Sequence, residues 1–385
     1  MKGKRGRRSS STPDANGPTV DVSASTPQES SDTSEPPSIA FICGDWNNQT
    51  NPPEPNGCAY YRQVLPCRLL KDLGYDASVG QPRPYDPMGI GLAHEDGALF
   101  GFDINIYKLM MHQSVPQLFH VMQNKGQVVA VDIDDFHFDL HEENIAFAAT
   151  NPLTNPTNNR MWYEMGIRQA DFITVSTAFL ADFYGRRCRD VRLVRNAVEV
   201  ERFSPVYQPE KPVYGWLGGT LWRSGDIELL GSWLPAFVKQ YDVTVHHAGH
   251  IPGDPKHFAV RAGLKAVQTT AMQTIGNVPQ MMQNFHVGLV PLARNAFNEA
   301  KSYLKGLEYV AAGIPFIATP TEEYRVLHAA GVGRLAETPD EWREHATELL
   351  DPDIRKEEAE RQREIVSRNF GISGMGEAWA TAITG

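Results

Sequence analysis

FNEAKSYLKGLEYVAAGIPFIAT, from Phe297 to Thr319, is the stretch around which the rest of the chain is organised. Its apolar period predicts a helix from about Ala300 to Ala312. Gly313-Ile314-Pro315 then ends that helix, because glycine suits the left-handed backbone of a helix end and proline cannot continue a helix. The run 316–318 follows as a short buried strand.

The predicted helix has a charged face and an apolar face. Lys301, Lys305 and Glu308 recur at i, i+4 and i+7, within one narrow stripe. The apolar stripe beside it must pack on a core and consists of Leu304, Leu307 and Ala311. Lysines near a helix N-terminus are disfavoured by the helix dipole unless an anion binds there. We therefore predict a phosphate at the helix N-terminus, at about Ala300–Ser302.

Length and composition limit the class of protein. At 385 residues the chain is long enough for two domains with substantial cores. No apolar run approaches the ~20 residues that span a bilayer, and no secretory signal is evident. The 4 cysteines form neither a CxxC pair nor a zinc spacing, which predicts reduced thiols and a cytoplasmic protein. The formal net charge of −10 argues against broad, nonspecific nucleic-acid binding but is compatible with a local basic cleft.

Composition and periodicity divide the chain into five parts. These are a disordered basic, Ser- and Pro-rich tail (1–38), an N-terminal Rossmann-like domain (39–204), a linker (205–212), a C-terminal Rossmann-like domain (213–365) and a C-terminal helix (366–385). The tail has few large apolar residues, so it cannot bury enough surface to offset chain entropy. Its head, KGKRGRR, is most simply a solvated segment, with an electrostatic tether to an anionic surface as the alternative. One arrangement that this division allows is packing of the last helix back on the N-terminal domain.

In the first half, polar groups follow buried strands. Residues 39–43 predict a strand, and Gly57 opens a helix after a long polar loop. This arrangement brings backbone N–H groups near an anion, although loop flexibility alone explains a single glycine equally well. Residues 127–133 predict a second strand, with Asp134 and Asp135 at its carboxyl end, where open α/β sheets bind ligands.

Asp134 and Asp135 are candidates for binding the hydroxyls of a sugar or an acceptor, and His137 lies close behind them. Capping of a turn or helix explains either aspartate about as well. Clustered His and Asp raise the question of a metal ion, but these spacings fit no familiar ligand set. We therefore predict no metal site.

In the second half, residues 213–217 predict a strand that leads into the loop Gly218-Gly219-Thr220-Leu221-Trp222-Arg223. Adjacent glycines allow close backbone approach, Thr220 offers a hydroxyl, and Arg223 offers a bidentate phosphate clamp. The spacing is neither GxGxxG nor a P-loop. It therefore supports neither a dinucleotide oxidoreductase nor a P-loop ATPase.

Two doubly wound halves joined by a linker leave a cleft at facing strand ends, which is a place for a small charged ligand. Glu308 lies roughly 10 Å along the helix from Lys301, at 1.5 Å per residue. That distance suits contact with ribose hydroxyls while the lysines face a diphosphate. A solvated surface helix with weak Lys–Glu pairs is the alternative, which the glycine loop at 218–223 disfavours.

The chain resembles the GT-B glycosyltransferases and is similar to the family 4 retaining enzymes, over about residues 39–385. The most specific match is KSYLKGLEYVAAGIPFIAT, and the weaker ones are GCAYYRQVLP, VVAVDIDD, ADFITVSTAFLADFY, VRNAVEVERF and YGWLGGTLWRSGD. The resemblance implies an α/β protein of GT-B architecture, whose two Rossmann-like domains face a central cleft. It also implies that the C-terminal domain holds a nucleotide-sugar.

The resemblance assigns roles to single residues. Glu308 matches the ribose contact, whereas the glutamate that the family often carries eight positions earlier is replaced by Ala300, with Glu299 beside it. Arg223 matches the arginine of the diphosphate clamp, and Asp134 stands where a histidine frequently follows the N-terminal strand. The implied donor-binding residues are Gly57, Gly218, Gly219, Thr220, Arg223, Glu299, Lys301, Ser302, Lys305 and Glu308. The implied catalytic residues are Asp134, Arg223 and Lys301, and the acceptor side comprises Asp134, Asp135 and His137.

The implied reaction moves a sugar from a nucleoside-diphosphate sugar to an acceptor, with retention and without a metal or other cofactor. The acceptor is left open among a glycan, a protein side chain and a modified nucleobase. The basic cluster Arg186-Arg187-Cys188-Arg189 is most simply a solvated loop. A noncatalytic nucleotide-sugar-binding protein and another GT-B-type enzyme, such as a sugar epimerase or a phosphorylase, are the alternatives. A phosphorylase would need a pyridoxal lysine, which we do not identify.

Overall fold

Two largely parallel sheets, one in each half of the chain, carry the fold. The computed structural model describes residues 36–83, 91–93, 101–108, 110–223, 225–254 and 257–385. Residues 1–35, nearly all of the tail that was predicted to be disordered, lie outside the described residues. Within the described part of the chain, no helix has both the length and the apolar character needed to cross a membrane.

The N-terminal half supplies nine strands and six helices among the described residues. The strands are β1 (Ile39–Cys43), β2 (Trp46–Asn47), β3 (Glu54–Pro55), β4 (Ala77–Arg83), β5 (Gly91–Ala93), β6 (Ile104–Lys108), β7 (Val128–Ile133), β8 (Phe172–Val175) and β9 (Val191–Leu193). The helices are α1 (Gly57–Ala59), α2 (Leu65–Asp72), α3 (Val115–Asn124), α4 (Phe147–Thr150), α5 (Asn159–Gln169) and α6 (Ala178–Gly185). A π-helical segment at Tyr60–Val64 joins α1 to α2.

The C-terminal half repeats the alternation. Its strands are β10 (Val213–Leu217), β11 (Thr244–His250), β12 (Gln268–Ala271), β13 (Val287–Val290), β14 (Phe316–Ala318) and β15 (Arg334–Leu335). Its helices are α7 (Glu228–Gly231), α8 (Leu234–Tyr241), α9 (Phe258–Arg261), α10 (Val278–Met281), α11 (Ala296–Glu299), α12 (Leu304–Ala311), α13 (Glu322–Ala329), α14 (Pro339–Glu348), α15 (Pro352–Asn369) and α16 (Ser373–Thr384).

Strand order shows that both halves are doubly wound. The first sheet runs β5-β4-β1-β6-β7-β8-β9, with only the β4–β5 pair antiparallel, and the second runs β12-β11-β10-β13-β14-β15, parallel throughout. The inner strands β1, β6 and β13 are buried along their whole length. Because helices cover both faces of such a sheet, these strands read as continuous apolar runs. The prediction of an α/β fold with two Rossmann-like domains is confirmed.

The last helix returns to the N-terminal half. α16 packs against α2, and the Trp379 ring lies edge-on to Phe41 of β1 at 5.5 Å between centroids. The path back runs beside the outgoing chain, since Val198 N–H donates to Phe370 O at 3.1 Å and Val198 pairs with Gly371 in a parallel bridge. The two segments that connect the halves therefore lie side by side.

The single helix predicted from Ala300 to Ala312 is wrong in its first turn. α11 ends at Glu299, α12 begins at Leu304, and residues 300–303 connect them. The break is stabilised by contacts with the other half, because Lys301 and Ser302 use their side chains to bind residues across the cleft. The predicted C-terminal end holds: Gly313 has a φ of 68° and its N–H donates to Val310 O at 2.9 Å.

Candidate active site

A cavity of about 560 Å³ lies between the two halves, at the carboxyl ends of both sets of strands. The predicted residues that line it are Gly57, Asp134, Asp135, Gly218, Arg223, Lys301, Ser302, Lys305 and Glu308. The predicted residues that do not line it are Gly219, Thr220, Glu299 and His137. The fold thus brings nine of the thirteen predicted side chains or glycines to one cleft, from both halves of the chain.

The loop after β10 brings its backbone unusually close to the next strand. Gly218 has a φ of 139°, which favours glycine, and its N–H donates to Ala248 O at 2.8 Å. A Cβ atom at Gly249 would lie 2.6 Å from Gly218 O, so this second glycine is required by the close approach. His247 Nε2 contacts the same carbonyl oxygen at 2.9 Å. These contacts hold the loop in one position at the cleft wall.

Thr220 supports this loop from behind instead of facing the cleft. Its side chain is buried and its hydroxyl hydrogen-bonds to Asp254, while its carbonyl oxygen accepts from Arg261 at 2.8 Å. Arg261 is anchored in turn by Glu228, with Nε 2.7 Å from Oε1. Thr220 therefore fixes the path of the loop that carries Arg223.

Arg223 faces the cleft with part of its charge unneutralised. Its nearest carboxylate is Asp226, 3.7 Å from NH1, and its buried Nε has no hydrogen-bond partner within the described part of the chain. Burial raises the pKa of Asp226 despite this arginine, so that carboxylate balances the guanidinium only in part. The arrangement leaves Arg223 available to an anion in the cleft.

Lys305 lies in the first turn of α12, beneath the same loop. Its ammonium donates to Leu217 O, and a Cβ atom at Gly218 would lie 3.4 Å from Nζ. Burial, and then repulsion by Arg223, lower the pKa of Lys305 to about 7. Two cationic side chains and the N–H groups at the start of α12 thus converge where an anion would relieve their repulsion.

Glu308, one turn further along α12, is tied to the opposite half. Its side chain is only 7% exposed, and Oε1 accepts a hydrogen bond from the Tyr61 hydroxyl at 2.7 Å. Burial raises the pKa of Glu308, while Lys305 and the Tyr61 hydroxyl oppose that rise. The other carboxylate oxygen makes no hydrogen bond with the described residues.

Two further contacts cross the cleft at the break between α11 and α12. Lys301 Nζ lies 3.2 Å from Asp135 Oδ1, and Ser302 Oγ accepts from Asn196 Nδ2 at 2.9 Å. Burial alone would raise the pKa of Asp135, but Lys301 and then His137 lower it overall. The connector is therefore held to the N-terminal half by a charged contact and a neutral one.

Asp134 belongs to a buried network of charges beneath the N-terminal wall of the cleft. Lys108 is fully buried and its ammonium contacts Asp134 and also Asp132, the latter at 3.5 Å. Asp132 in turn accepts from Arg62 at 2.6 Å and from the Thr174 hydroxyl at 2.7 Å. Burial would lower the pKa of Lys108, but Asp134 and Asp132 raise it. Each buried charge in this network has an opposite charge in contact.

The possible metal ligands beside these groups are already protonated or paired with lysines. Among the described residues, Cys58, Asp134 and Asp135 bring one possible ligand atom each within 4.8 Å of one another. Burial and Asp134 raise the pKa of the Cys58 thiol well above its usual value, so the thiol stays protonated. Each carboxylate already contacts a lysine ammonium. This donor set suits hydroxyl groups better than a divalent cation.

Glu299 and His137 are two further predicted residues that lie away from the cavity. Glu299 is half-buried at the end of α11, and the neighbouring Ala300 is buried with its carbonyl oxygen accepting from the Thr177 hydroxyl at 3.1 Å. His137 packs beside Tyr163, with 5.9 Å between ring centroids. Burial lowers the pKa of His137, which keeps the ring neutral.

Several cleft residues were not predicted. Tyr61 and Asn196 fall within the motifs GCAYYRQVLP and VRNAVEVERF, yet no sequence signal identifies their partners on α12 and its connector. Cys58 and Asp45 also line the cavity, beside Gly57. The segment between β12 and α10, including Met272 and Gln273, also lines the cavity and contains no charged residue.

Comparison with known proteins was made by sequence and by structure. The sequence matches no known protein family and no curated protein. Solved structures do match. Sucrose-phosphate synthase from Thermosynechococcus elongatus aligns over 91% of this chain and 98% of its own, with a TM-score of 0.63 at 14% sequence identity.

Two further structures agree with that match. A glycosyltransferase from Rickettsia africae ESF-5 aligns over 90% of this chain and 99% of its own, with a TM-score of 0.62 at 12% identity. HepE from Anabaena, solved in complex with UDP-glucose, aligns over 90% of this chain and 99% of its own, with a TM-score of 0.61 at 13% identity. At such identities the likeness concerns the fold. The chain has the GT-B fold of these glycosyltransferases.

Proposed function

We propose that the chain transfers a sugar from a nucleoside-diphosphate sugar to an acceptor bound in this cleft, with retention. The observation that carries the proposal is the convergence of Arg223, Lys305 and Glu308 on one wall, opposite Asp134 and Asp135. The resemblance to the family 4 enzymes supports it. The binding of UDP-glucose by HepE, which has the same fold, supports the class of donor.

In this proposal the diphosphate lies against the second-half loop and helix. Arg223 and Lys305 contact the phosphate oxygens, and the backbone of Gly218 allows them to approach closely. Glu308 accepts hydrogen bonds from the ribose hydroxyls through the carboxylate oxygen that Tyr61 leaves open. Each of these groups is in place before the donor arrives.

The reaction breaks the bond between the anomeric carbon and the diphosphate oxygen while the acceptor oxygen bonds to that carbon on the same face. Negative charge develops on the leaving diphosphate, so fixed cations stabilise the transition state more than the ground state. Asp134, held by Lys108, is placed to accept the proton that the acceptor hydroxyl loses. Lys301 bridges the two walls next to this point.

No metal is assigned to the reaction, because Arg223 and Lys305 supply the positive charge. Incubation with EDTA is therefore expected to leave transfer unchanged. A loss of activity that added Mg²⁺ or Mn²⁺ restores would contradict this part of the proposal.

The experiment that tests the function measures release of nucleoside diphosphate from UDP-sugars and GDP-sugars, with thermal shift to identify the donor. Glu308→Ala and Arg223→Ala should each remove most of the activity while unfolding at a temperature close to wild type. Arg294→Ala, which removes a surface arginine paired with Glu337, is the matched control and should keep full activity. Wild-type donor affinity and turnover in both cleft variants would contradict the proposed transferase function.

One observation favours a second candidate, a noncatalytic nucleotide-sugar-binding protein. Ala300 occupies the position of a sugar-contacting glutamate, and Glu299 does not line the cavity. A binder would show a thermal shift with a nucleotide-sugar that depends on Arg223 and Glu308, but neither hydrolysis nor transfer of the sugar. The same pair of measurements thus separates the two candidates.

A further inference from the structure

A second cavity, of about 360 Å³, lies in the N-terminal half and shares one loop with the cleft. In the loop after β7, Asp134 and Asp135 line the cleft, whereas Phe136 and Phe138 line the second cavity. We call this cavity the arginine–phenylalanine pocket and define it by Phe138, Arg160, Arg168, Phe183, Arg187 and Cys188. Its volume lies within the range of pockets that hold small ligands, about 300–1,000 Å³.

One wall of the pocket is α5, where Arg160, Glu164 and Arg168 recur at i, i+4 and i+8 on one face. Arg160 is fixed by three contacts. Its Nε lies 3.1 Å from Glu164 Oε1, its NH1 donates to Phe138 O at 3.1 Å, and its guanidinium carbon lies 4.7 Å from the Phe138 ring centroid. This arginine is a neutralised part of the wall.

The opposite wall holds Arg187 just after α6. Its guanidinium carbon lies 3.7 Å from the Phe183 ring centroid, and NH1 donates to Phe183 O at 2.7 Å. The backbone N–H groups of Arg187 and Cys188 both donate to Tyr184 O at 2.8 Å, which fixes the turn. Stacking and one hydrogen bond orient the guanidinium and leave its other N–H groups without partners among the described residues.

Arg168 and Arg187 line the pocket together with Cys188. In the described part of the chain the Arg168 side chain makes no hydrogen bond or ion pair. Burial raises the pKa of the Cys188 thiol, and both arginines oppose that rise. The pocket's three arginines outnumber its two carboxylates, Asp139 and Glu164, although the chain as a whole carries a net charge of −10.

We propose that the arginine–phenylalanine pocket binds an oxyanion, a phosphate or a carboxylate, carried by a sugar-sized molecule. Guanidinium groups bind such oxyanions through paired N–H donors, and Arg168 and Arg187 have these donors free. The phenylalanine rings offer an apolar surface for the rest of the ligand. The two cavities share no lining residue, so this ligand is distinct from the acceptor proposed for the cleft.

The test uses Cys188, since a ligand in the pocket covers its thiol. The full chain is alkylated with iodoacetamide, and mass spectrometry follows Cys188 and the cleft residue Cys58 separately. Glucose 6-phosphate and glucuronate are the two probes, which distinguish a phosphate from a carboxylate ligand. With a probe at about ten times its dissociation constant, alkylation of Cys188 should slow roughly tenfold, by mass action. Glucose, and chloride at matched ionic strength, should leave the rate unchanged.

Charge removal sharpens the test. The double variant Arg168→Met, Arg187→Met should lose the protection, whereas Arg186→Met should keep it, because Arg186 is paired with Asp182 at 2.7 Å outside the defined pocket. Should the double variant fail to fold, the exposed Arg168→Met change alone should weaken the protection. Absence of protection with both probes, equal protection by chloride or glucose, or full protection in the arginine variants would overturn the proposal. Thermal shift with nucleotide-sugars reports on the cleft independently, so a failure of the transferase proposal is seen separately.

Discussion

The two walls of the cleft treat buried charge in opposite ways. In the N-terminal half, Lys108 and Arg62 each contact an aspartate directly, so the charges are neutralised within the protein. In the C-terminal half, Arg223 and Lys305 repel one another, and Glu308 accepts a hydrogen bond from Tyr61 across the cleft. The comparison teaches that Lys108 and Arg62 are neutralised by carboxylates of their own half, whereas Arg223 and Lys305 are the cations that the proposed diphosphate would neutralise.

The largest expected difference between the two walls follows from removing one lysine from each wall. Lys108→Met leaves Asp134 without its ammonium partner, while Asp132 keeps Arg62, and should lower the free energy of unfolding by about 3–5 kcal/mol. Lys305→Met removes a cation that contacts no carboxylate among the described residues, so stability without ligand should stay the same or rise. Urea unfolding of both variants measures the difference.

The same two variants separate stability from binding. Lys305→Met should lose most affinity for nucleoside diphosphate, measured by isothermal titration calorimetry, although it remains as stable as wild type. Equal destabilisation by the two substitutions would show that the walls do not differ in the way described here.

A smaller effect is expected at the contact that joins the walls. Tyr61→Phe removes the donor to Glu308 and should cost about 1–3 kcal/mol of stability, because the buried carboxylate loses its hydrogen bond. Tyr60→Phe is the matched control, since its carboxylate partner Glu199 keeps the contact with Arg68. Urea denaturation should rank Tyr61→Phe below Tyr60→Phe. The reverse order would argue against a special role for the cleft-crossing hydrogen bond.

The smallest expected effect is a change in proton binding at Lys305. The pKa of Lys305 is about 7 in the folded protein, below its unfolded value of 10.5, so stability without ligand should rise with pH between these values. A bound diphosphate favours the charged ammonium and raises this pKa. Nucleotide binding at pH 8 should therefore take up a fraction of a proton, and affinity should fall as pH rises above 7. Calorimetry in two buffers of different ionisation enthalpy measures the uptake, which Lys305→Met should abolish.

A structural feature could be predicted from the sequence where the residues that cause it are close to one another in the chain. β1 and β10 were predicted with their observed bounds, because a central parallel strand is one unbroken apolar run. Gly218 and Lys305 were predicted as cleft residues because turn chemistry and helix period depend on neighbouring residues. These signals are enough for the fold and for the cleft wall that carries Arg223 and Lys305.

Long-range contacts explain what the sequence did not show. The break before α12 is stabilised by Asp135 and Asn196, more than 100 residues earlier in the chain. Tyr61 lies 247 residues before Glu308, so nothing near either residue indicates the pair. Lys108 carries no local signal either, and its place between two aspartates follows only from sheet order.

The return of α16 to the N-terminal half bears on the order in which the protein is made. Trp379 is fully buried against residues of the first sheet, so that core lacks a large side chain until residue 379 has been synthesised. Domains of a growing chain generally fold as they emerge, N-terminal first. Here the N-terminal sheet completes its core only after the C-terminal half has been synthesised.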